Sequence, residues 1–560
     1  QHASDLHALA QVASLPSVDD RLLEEVAARC SPPGGRNSAS LGELARWAEE
    51  RLKLARLGIA VAEDWVVVAD ASRLLTGCET AERELAALQA PSADELIRRY
   101  ADPNDGWWRL DDLHRGLELR FDACRSGIVE HLGQPAVAAL WKWSRQLAQQ
   151  FADAFERSGG YAAPADVIPH HRFWSELVET GDLGETAILY VDALRLDLAE
   201  KLIGLLSQPG RTVTRRLALG SLPSKTPVGM ASLLPRRGQS LVVLAKREKL
   251  RAEIGGRDVS DRPDRVAHLR QAVANLEVGE LKQITESQLR AWAIARRPVL
   301  LTTLDIDNSG EIAATVAPKL FEDLIADLAR WVTVLHRAGY RRVAIGTDHG
   351  FLLVPEGVSL GDVPAPQKAS DVAISTRYAV GPLQTPNGCL GFDASALGYG
   401  GTARVVVPKG LTAFSVAGPR HRFIHGGLSP QECLLRFVIS TQAGPPKAPV
   451  QVRLAPVPNV ASLILYLQAE VTSSHGSAQA RRVRVEARHG SRVVGRSDIV
   501  VYKPELELGP AEAYPRIKVT LTEPVPAVDL ILLDEDSGDE LDSQLGVPNV
   551  MRREADEDLL

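Results

Sequence analysis

The chain has 560 residues, of which 45% are hydrophobic and 24% are charged, and its formal net charge at pH 7 is −7. This balance is typical of a soluble globular protein, and the length predicts roughly three or four domains. The negative charge does not favour a protein that coats nucleic acid through bulk charge. The sequence has no run of the roughly 20 apolar residues needed to cross a bilayer.

The first 180 residues have a helical pattern. Segments such as LGELARWAEERLKLARLGIAVAE and AVAALWKWSRQLAQQFADAFE repeat apolar residues every third or fourth position. Pro91 to Asp94 is typical of a helix start, and Ser158-Gly159-Gly160 of a helix end. We therefore predict a helical N-terminal domain over residues 1–180, without chemistry of its own.

Residues 181–442 alternate short apolar runs with helical segments. The runs TAILYVDAL, RRPVLLTTLDID and RRVAIGTDHGF each indicate a buried strand that ends in an acidic residue. Strands that alternate with helices favour an α/β class, with a largely parallel sheet covered by helices on both faces. A charged stretch at about 236–297 interrupts this alternation, and we predict a helical insertion there.

After residue 442 the pattern changes to short runs rich in Val, Ile and Leu, separated by turn residues. This pattern predicts a β-sandwich-like domain over residues 443–535, followed by an acidic tail over 536–560 that we expect to be solvated. Two of the strand-like runs carry clustered arginines, which either contact a phosphate backbone or form a solvated strand edge. These arginines are Arg481, Arg482, Arg484, Arg488, Arg492 and Arg496.

Carboxylates follow the three predicted strands of the central region: Asp192, then Asp305 and Asp307, then Asp348 beside His349. Ligands of open parallel α/β sheets bind outside the carboxyl ends of the strands, so we expect these side chains to gather at one edge. They would repel one another unless a cation lay among them, and oxygen and imidazole ligands together suit Zn²⁺, Mn²⁺ or Mg²⁺. The alternative is that each aspartate caps the helix that follows it.

A candidate nucleophile lies in SLPSKTPVGMASLLP, where Thr226 precedes a helix of small residues. Free backbone N–H groups at a helix start suit a phosphate, and a bound metal lowers the pKa of an oxygen ligand enough to make it a nucleophile. The carboxylates therefore need a cation, and the hydroxyl needs activation. Taken alone, Thr226 would more often be a helix cap.

The segments VDALRLDLAEKL, LPSKTPVGMASLLP, DIDNSGE, TDHGF and HGGLSPQE occur in the order typical of PglZ domains. Over about residues 185–440 the chain resembles this branch of the alkaline-phosphatase superfamily, known from bacterial phage-exclusion systems of the BREX type. The resemblance implies an alkaline-phosphatase-like α/β/α sandwich that binds two divalent ions. It assigns the first ion to Asp192, Thr226, Asp348 and His349, and the second to Asp307, Glu311 and His425.

Glu311 stands where the superfamily usually has histidine. A carboxylate ligand makes the second site harder and more anionic, which tilts its preference from Zn²⁺ towards Mn²⁺ or Mg²⁺. Asp305 is a reserve ligand, since the spacing from Asp307 to Glu311 fits the pattern better. His425 has support of its own, because two glycines and a Ser-Pro helix start follow it.

Three basic residues are candidates for contacting phosphate oxygens. Arg195 occupies the place of an arginine typical of PglZ-like domains, where a bidentate phosphate contact and a structural salt bridge are equally open. Lys225 and Arg377 are weaker candidates for the same role.

The resemblance implies a metal-dependent phosphoester hydrolase, with phosphodiesters or nucleic acid as substrates and a phospho-threonine intermediate on Thr226. We expect a phosphodiesterase or nuclease that acts in bacterial phage defence beside other phage-exclusion proteins. The alternative is a catalytically weak scaffold or interaction subunit of such a complex. A sulfatase is less favoured, because Thr226 lies in no sulfatase modification motif.

The five cysteines lie far apart and form no CxxC pair, which argues against a disulfide framework and a zinc ribbon. The first residues also lack the basic-then-apolar pattern of a signal peptide. We therefore expect a cytoplasmic protein that does not contact a membrane.

Overall fold

The computed structural model describes residues 16–30, 38–53, 59–121, 124–312, 317–416, 422–442, 449–473, 480–503 and 515–551. The described residues form two compact units. The first takes its residues from 1–283, 297–326 and 344–440, and the second from 284–296, 327–343 and 441–560. Within these described ranges, no helix combines the length and apolar character that a membrane span requires.

Helices make up most of the described residues up to Ser158, and further helices lie between the strands of the central region. The α-helices are α1 (Pro16–Cys30), α2 (Ser38–Leu52), α3 (Ile59–Ala87), α4 (Ala93–Ala101), α5 (Trp108–Glu118), α6 (Ser126–Ile128), α7 (Gln134–Ser158), α8 (Leu196–Leu206), α9 (Thr226–Ser232), α10 (Arg262–Ala272), α11 (Glu286–Ile294), α12 (Asp305–Ile312), α13 (Ala317–Ala338) and α14 (Pro430–Cys433). Short π-helical or 3₁₀ segments are Val129–Gly133, His170–Arg172, Trp174–Val178, Leu183–Glu185, Leu281–Gln283 and Ala394–Leu397.

The predicted helix signals near residues 91 and 158 are confirmed. Ser92 accepts a hydrogen bond from the Glu95 backbone N–H, and the Glu95 side chain accepts from the Ser92 backbone, which completes a capping box at the start of α4. Helix α7 ends at Ser158, and Gly159 follows it in the left-handed conformation at φ 70°.

The strands of the first unit form a central sheet and several small ones. They are β1 (Ile168–Pro169), β2 (Thr186–Val191), β3 (Arg211–Leu219), β4 (Leu241–Lys246), β5 (Lys249–Ile254), β6 (Arg257–Asp258), β7 (Glu277–Glu280), β8 (Val299–Thr303), β9 (Arg342–Thr347), β10 (Leu352–Leu353), β11 (Gly361–Val363), β12 (Ala373–Ile374), β13 (Ala379–Gly381), β14 (Cys389–Asp393), β15 (Arg404–Pro408), β16 (Thr412–Phe414), β17 (Phe423–Ile424) and β18 (Leu434–Gln442).

The central sheet has the order β1-β3-β18-β9-β2-β8-β7 in the described residues. Strands β9, β2 and β8 are therefore direct neighbours, and they are the three strands that the sequence predicted to end in acid. Every residue of β2 is buried, and β2 pairs in parallel with β8. The chain thus has the predicted α/β class, in which helices protect a largely parallel sheet.

The N-terminal helices share one buried apolar core with the central sheet. The core runs from Leu22 and Trp47 through Phe155 and Phe173 to Phe437. These helices also belong to the same compact unit as the sheet. The boundary of a helical domain near residue 180 stays a prediction.

The predicted helical insertion at about 236–297 is wrong in its first part. Strands β4, β5 and β6 form an antiparallel sheet there. Arg247 and Glu248, which the sequence suggested were helical, make the β4–β5 turn at φ 52° and 62°. Leu250, Ala252 and Ile254 alternate as buried residues, a period-two pattern that the charged residues between them concealed. Helices α10 and α11 follow, and β7 pairs with β8.

The second unit contains the predicted β-rich C-terminal region. Its strands are β19 (Gln451–Leu454), β20 (Ile464–Ser473), β21 (Arg481–His489), β22 (Arg492–Ser497), β23 (Val500–Tyr502), β24 (Arg516–Leu521), β25 (Ala527–Asp534) and β26 (Glu540–Pro548). They follow the order β19-β20-β24-β22-β21-β25-β26, and β23 pairs with β21. The two ends of this path meet, because the Leu454 N–H donates to Asp542 and the Val457 N–H donates to Gln544.

The prediction of a solvated acidic tail from residue 536 is wrong for its described part. Residues 540–548 form β26, which pairs antiparallel with β25. The backbone of β26 extends the sheet, while several of its side chains, including Glu540, stay exposed to water. The predicted tail residues 552–560 lie outside the described residues.

Each arginine of the cluster on β21 and β22 has a carboxylate partner. Arg481 pairs with Asp534, Arg482 with Asp536, Arg484 with Glu535, Arg492 with Glu523, and Arg488 and Arg496 with Glu486. Arginines that already have a carboxylate partner release fewer counterions from a phosphate backbone. The geometry therefore favours the solvated strand face over the predicted contact with nucleic acid.

Candidate active site

The acidic ends of β2 and β9 meet at one edge of the central sheet. Asp192 follows β2, and Asp348 and His349 follow β9; all three side chains are buried. Asp307 lies on α12, the helix that begins two residues after β8. Adjacent strands carry these residues to the same edge, although up to 157 positions separate them in sequence (Asp192 to His349).

Thr226 lies at the first residue of α9, next to this edge. Its Oγ1 is 3.2 Å from His349 Nε2, and no side-chain hydrogen bond caps the start of α9. The helix approaches closely because Gly229 packs on the Asp348 backbone, where a Cβ would lie 2.4 Å from the Asp348 carbonyl oxygen. The Thr226 hydroxyl therefore contacts His349 and does not cap α9.

The first candidate metal group comprises Asp192, Asp348 and His349, each of which offers one ligand atom within 4.8 Å of the others. His349 Nε2 lies 3.2 Å from Asp348 Oδ2 and 3.7 Å from Asp192 Oδ1. Neither of these two carboxylate oxygens has a hydrogen-bond partner. Asp348 Oδ1, by contrast, accepts from the Ala193 and His349 backbone N–H groups, which leaves Oδ2 directed into the group.

The second candidate group comprises Asp307, His349 and His425. His425 Nε2 lies 3.6 Å from Asp307 Oδ1 and 3.9 Å from Glu311 Oε1, and Asp307 Oδ1 has no hydrogen-bond partner. Gly310 lets α12 approach, because a Cβ there would lie 2.2 Å from the Phe423 ring.

The reserve ligand Asp305 points elsewhere. It accepts a hydrogen bond from Thr303 Oγ1 and pairs with Lys282 at 3.1 Å.

Hydrogen bonds set the tautomers of the two histidines. His349 Nδ1 donates to the Gly350 carbonyl and His425 Nδ1 to the Ser224 carbonyl, each over 3.1 Å. In the neutral rings, both Nε2 atoms therefore carry a lone pair, as a metal ligand must. The two rings stack with their centroids 3.9 Å apart.

Burial shapes the charges of the group. It raises the pKa values of Asp307 and Asp348 to about 6. It raises the pKa of Asp192 well above its ordinary value, to which the nearby Asp348 and Asp307 add. Burial also lowers the pKa of His349 to about 4 and that of His425 well below its usual range. Carboxylates that resist ionisation beside neutral imidazoles indicate a site with too little positive charge for its carboxylates.

A divalent cation fits this donor set. The three unpartnered carboxylate oxygens of Asp192, Asp307 and Asp348 face imidazole lone pairs, and buried polar atoms in native proteins normally have partners. The mixture of oxygen and nitrogen donors suits Zn²⁺ or Mn²⁺.

Arg195 does not reach the site's open side. Its Nε and Nη2 bond to the two Asp197 carboxylate oxygens at 2.6 and 2.8 Å, and the side chain is 1% exposed. The guanidinium also lies over the Phe351 ring. The predicted phosphate contact is therefore not available, and the structural salt bridge is what the chain forms.

Replacing Arg195 by methionine is expected to lower the free energy of unfolding by about 1.5–3 kcal/mol, because buried Asp197 would lose its bidentate partner and keep only Arg115, at 3.2 Å. Denaturant titration measures this change, and a calorimetric titration with Mn²⁺ measures metal affinity, which we expect to stay close to that of the wild type. Loss of turnover at unchanged stability would instead restore the role in phosphate binding.

Arg377 is also a structural residue. It pairs with Glu432 at 2.6 Å, and both side chains are fully buried. Glu432 in turn accepts from the Gly427 N–H, so this ion pair holds the turn that follows His425. Lys225 alone of the three basic candidates lies in the site, with Nζ 3.0 Å from His425 Nε2.

Three contributors were missed by sequence reasoning: Ser224, whose carbonyl orients His425, Glu432, and Arg265 of α10. The Arg265 guanidinium lies close enough to Asp348 and Asp192 to lower their pKa values against the larger opposite effect of burial. A Ser three positions before Glu432 is a capping signal that could have drawn attention to that carboxylate. Nothing local singles out Arg265.

The comparison with protein families agrees with the motifs. Residues 171–438 match the family model described as the BREX system PglZ alkaline phosphatase-like domain. The chain is 29% identical over 284 residues to the alkaline phosphatase-like protein BrxZ of Escherichia coli O9:H4 (strain HS), a match that covers 47% of this chain and 32% of that protein. It is 24% identical over 305 residues to the alkaline phosphatase-like protein PglZ of Bacillus cereus (strain H3081.97), covering 52% of this chain and 35% of that protein.

The chain thus spans about a third of the length of these curated relatives. Among solved structures, murine ectonucleotide pyrophosphatase / phosphodiesterase 5 overlaps with 46% of this chain and 87% of its own, at a TM-score of 0.31 and 8% identity.

Proposed function

We propose that this chain, whose residues 171–438 form a PglZ-type alkaline phosphatase-like domain, is a metal-dependent phosphoester hydrolase with Thr226 as its nucleophile. The observation that carries the proposal is the convergence of three unpartnered carboxylate oxygens and two imidazole nitrogens beside the Thr226 hydroxyl, which lies 3.2 Å from His349 Nε2. A scaffold has no need for this arrangement, since buried carboxylate oxygens without a hydrogen-bond partner cost free energy.

Two groups of residues would hold two cations. Asp192, Asp348, His349 and Thr226 form the first, and Asp307, Glu311 and His425 the second. Glu311 is largely exposed, so its carboxylate can adjust to an ion at small cost. The cations would supply Lewis-acid activation of the entering oxygen and neutralise the leaving one.

The protein's own residues bind and orient the substrate. Thr226 Oγ1 would lose its proton to solvent and attack phosphorus, the ester bond to the leaving oxygen would break, and the leaving group would depart and take a proton from solvent. A phospho-threonine would form, which for a diester substrate keeps the second ester group. Water would then release phosphate or a phosphomonoester and restore the hydroxyl. Lys225, beside His425, would contact the phosphate oxygens as a point charge.

A cavity beside the site favours a diester over a monoester. About 430 Å³ of space opens next to Lys225, Glu311 and His425. A monoester has one esterified group to place and a diester has two, and the cavity offers room for the second group. Its apolar wall includes Val354, Leu360, Ile374, Phe414, Phe423 and Ile424. We infer a phosphodiesterase or nuclease, and Lys368 at this wall adds one positive charge.

The family match connects this activity to phage defence. The matched family is described by its BREX system, so we propose that the chain acts with other proteins of such a system. Absence of turnover would leave the alternative of a catalytically weak scaffold or interaction subunit.

The test compares a chromogenic diester, bis-p-nitrophenyl phosphate, with its monoester, p-nitrophenyl phosphate. The purified chain is stripped with EDTA and reloaded with Zn²⁺, Mn²⁺ or Mg²⁺. We expect no turnover without metal, restoration by Mn²⁺ or Zn²⁺, and faster cleavage of the diester. Faster cleavage of the monoester would contradict the role of the cavity, and failure with all three metals would contradict the enzyme proposal.

A further inference from the structure

A buried histidine joins two segments of the candidate active site. His170 follows β1 in a short 3₁₀ segment, and its side chain is buried. Its Nε2 atom lies 3.0 Å from the Thr347 carbonyl oxygen, and its Nδ1 atom lies 3.1 Å from the Ser221 backbone nitrogen. Thr347 directly precedes Asp348, and Ser221 lies five residues before Thr226. His170 therefore contacts one segment that carries candidate metal ligands and another that leads to the candidate nucleophile.

The two hydrogen bonds determine the tautomer of His170. A carbonyl oxygen only accepts, so Nε2 carries the proton and donates to Thr347. A backbone N–H only donates, so Nδ1 keeps its lone pair and accepts from Ser221. The ring is therefore neutral, in agreement with burial, which lowers the pKa of His170 to about 3. Because both ring nitrogens have partners, His170 is not itself a candidate metal ligand.

The connection continues from Ser221 to the helix of the nucleophile. Ser221 Oγ lies 2.6 Å from the Oγ atom of Ser232, the last residue of α9, and both side chains are buried. Hydrogen bonds thus run from Thr347 through His170 and Ser221 to Ser232. We call these four residues the His170 link. Polar networks of this kind, when every member has a partner, make a buried region rigid.

The His170 link crosses a strand that separates its two ends. The central sheet contains the order β3-β18-β9, so β18 lies between β3, which leads to Ser221, and β9, which ends at Thr347. Neighbouring strands are about 4.8 Å apart, so no ladder hydrogen bond joins β3 directly to β9 in the described residues. The His170 ring packs on Phe437 of β18, with the ring centroids 5.8 Å apart. The link therefore connects two strand ends that the sheet joins only through β18.

We propose that His170 is a positioning residue, which holds the Thr226 nucleophile at its distance from the ligand pair Asp348 and His349. Thr226 Oγ1 lies 3.2 Å from His349 Nε2, and the two side chains belong to the two segments that the link joins. Catalytic groups and metal ligands need their positions fixed to within about 0.5 Å, and the residues that support them supply this precision. The inference rests on the proposed function, because it assumes that Thr226 and these ligands act together.

The alternative is that His170 is a core residue without influence on the site. A matched control exists in His336, which is also buried and donates from Nδ1 to the carbonyl of Tyr340 over 2.8 Å. That hydrogen bond is local, since Tyr340 lies four positions further along the chain. The bonds of His170, by contrast, join residues 51 and 177 positions away. Loss of either histidine should lower the unfolding temperature, so stability alone does not separate the two roles.

The experiment compares His170→Leu with His336→Leu in the full chain. The visible absorption spectrum of the Co²⁺-loaded protein reports ligand geometry, calorimetric titration gives the Mn²⁺ affinity, and steady-state kinetics uses bis-p-nitrophenyl phosphate. His170→Leu should change the Co²⁺ spectrum and weaken Mn²⁺ binding roughly 10- to 100-fold, as is usual for residues that support metal ligands. Its kcat should fall by a similar factor while KM stays close to that of the wild type. His336→Leu should keep the wild-type spectrum, Mn²⁺ affinity and kcat.

Two further variants separate the two ends of the link. His170→Gln supplies an amide N–H near the position of Nε2, so it can donate to Thr347 and should recover most of the Mn²⁺ affinity. Ser232→Ala removes only the hydrogen bond to Ser221 and serves as the test if His170→Leu does not fold. It should lower kcat roughly 2- to 10-fold, the factor that corresponds to one hydrogen bond between neutral groups, and leave the Mn²⁺ affinity nearly unchanged.

Wild-type spectrum, Mn²⁺ affinity and kcat in folded His170→Leu would overturn the proposal, and so would an unchanged kcat in Ser232→Ala if His170→Leu does not fold. Equal losses in His170→Gln and His170→Leu would contradict the role of the hydrogen bond to Thr347. If the wild type binds both ions but cleaves no ester, the proposed function fails, whereas the spectrum and Mn²⁺ affinity of His170→Leu still test the positioning of the ligands. A wild type that binds neither ion would contradict both proposals.

Discussion

Thr226→Ala is expected to reduce diester turnover by a factor on the order of 10³–10⁶, the range found when a nucleophile is removed from a catalytic group that acts as a unit. The fold should be nearly unaffected, because Thr226 Oγ1 caps no backbone N–H of α9. Steady-state kinetics with saturating Mn²⁺ measures the first effect, and denaturant titration the second. Thr226→Ser should keep part of the activity, since it keeps a hydroxyl at the same atom.

The matched control is Thr285→Ala. Thr285 also stands at a helix start, but it makes a capping box with Gln288. Its replacement should cost about 1 kcal/mol of stability and leave turnover unchanged. With bis-p-nitrophenyl phosphate as substrate, intact-mass spectrometry of quenched reactions should show one added p-nitrophenyl phosphoryl group on the wild type and none on Thr226→Ala. Full turnover in Thr226→Ala would end the enzyme interpretation.

Replacement of Asp348 should lower catalytic activity and raise the stability of the metal-free fold. Asp348→Asn should abolish metal-dependent turnover, because the neutral amide loses the charge and the lone pairs of the unpartnered Oδ2. In EDTA the same variant should be more stable than the wild type by about 1–3 kcal/mol, because it removes a carboxylate whose ionised form is disfavoured by burial. The new amide N–H can also donate to His349 Nε2, which lies 3.2 Å from Oδ2 in the wild type.

The stability difference should depend on pH. The pKa of Asp348 is raised to about 6 in the folded chain from an ordinary value of 3.8, so the folded state binds its proton more tightly than the unfolded state does. The penalty is therefore absent below pH 3.8, develops between there and about pH 6, and is complete above it. The advantage of Asp348→Asn should be largest near pH 8 and should vanish near pH 4. Thermal unfolding in EDTA across this range measures it.

Asp305→Asn is the control for the ligand assignment. Asp305 pairs with Lys282 outside both candidate groups, so its replacement should leave metal binding and turnover unchanged, whereas Asp307→Asn should weaken metal binding. The opposite pattern would show that the reserve ligand is the true one. If Asp348→Asn were less stable than the wild type in EDTA, the buried Asp348 carboxylate would not destabilise the metal-free fold, contrary to this prediction.

The local pattern of the sequence determined the α/β class and much of the candidate site. Buried strands and amphipathic helices have different apolar periods, so TAILYV and RVAIGT were recognisable as strands with acids at their ends. Parallel strands bring those ends to one edge, which predicted the proximity of Asp192, Asp307 and Asp348. The glycines after His425 marked its turn in the same local way.

Charged segments were harder to interpret. The β4–β5 hairpin was predicted as helix because its exposed positions are charged, which concealed the alternation of its buried residues. The strand β26 was predicted as a solvated tail for a similar reason, since acidic composition does not tell whether a backbone has a strand to pair with.

Only the tertiary structure decided which opposite charges meet. Arg195 forms an ion pair with Asp197. The arginines of β21 and β22 form ion pairs with carboxylates of nearby strands and loops. An ion pair depends on which groups folding brings within about 4 Å of each other, and on how far water is excluded there. The residue types and the local apolar period do not determine those distances. The sequence therefore shows where the charges lie along the chain, and the tertiary structure determines which of them are already paired.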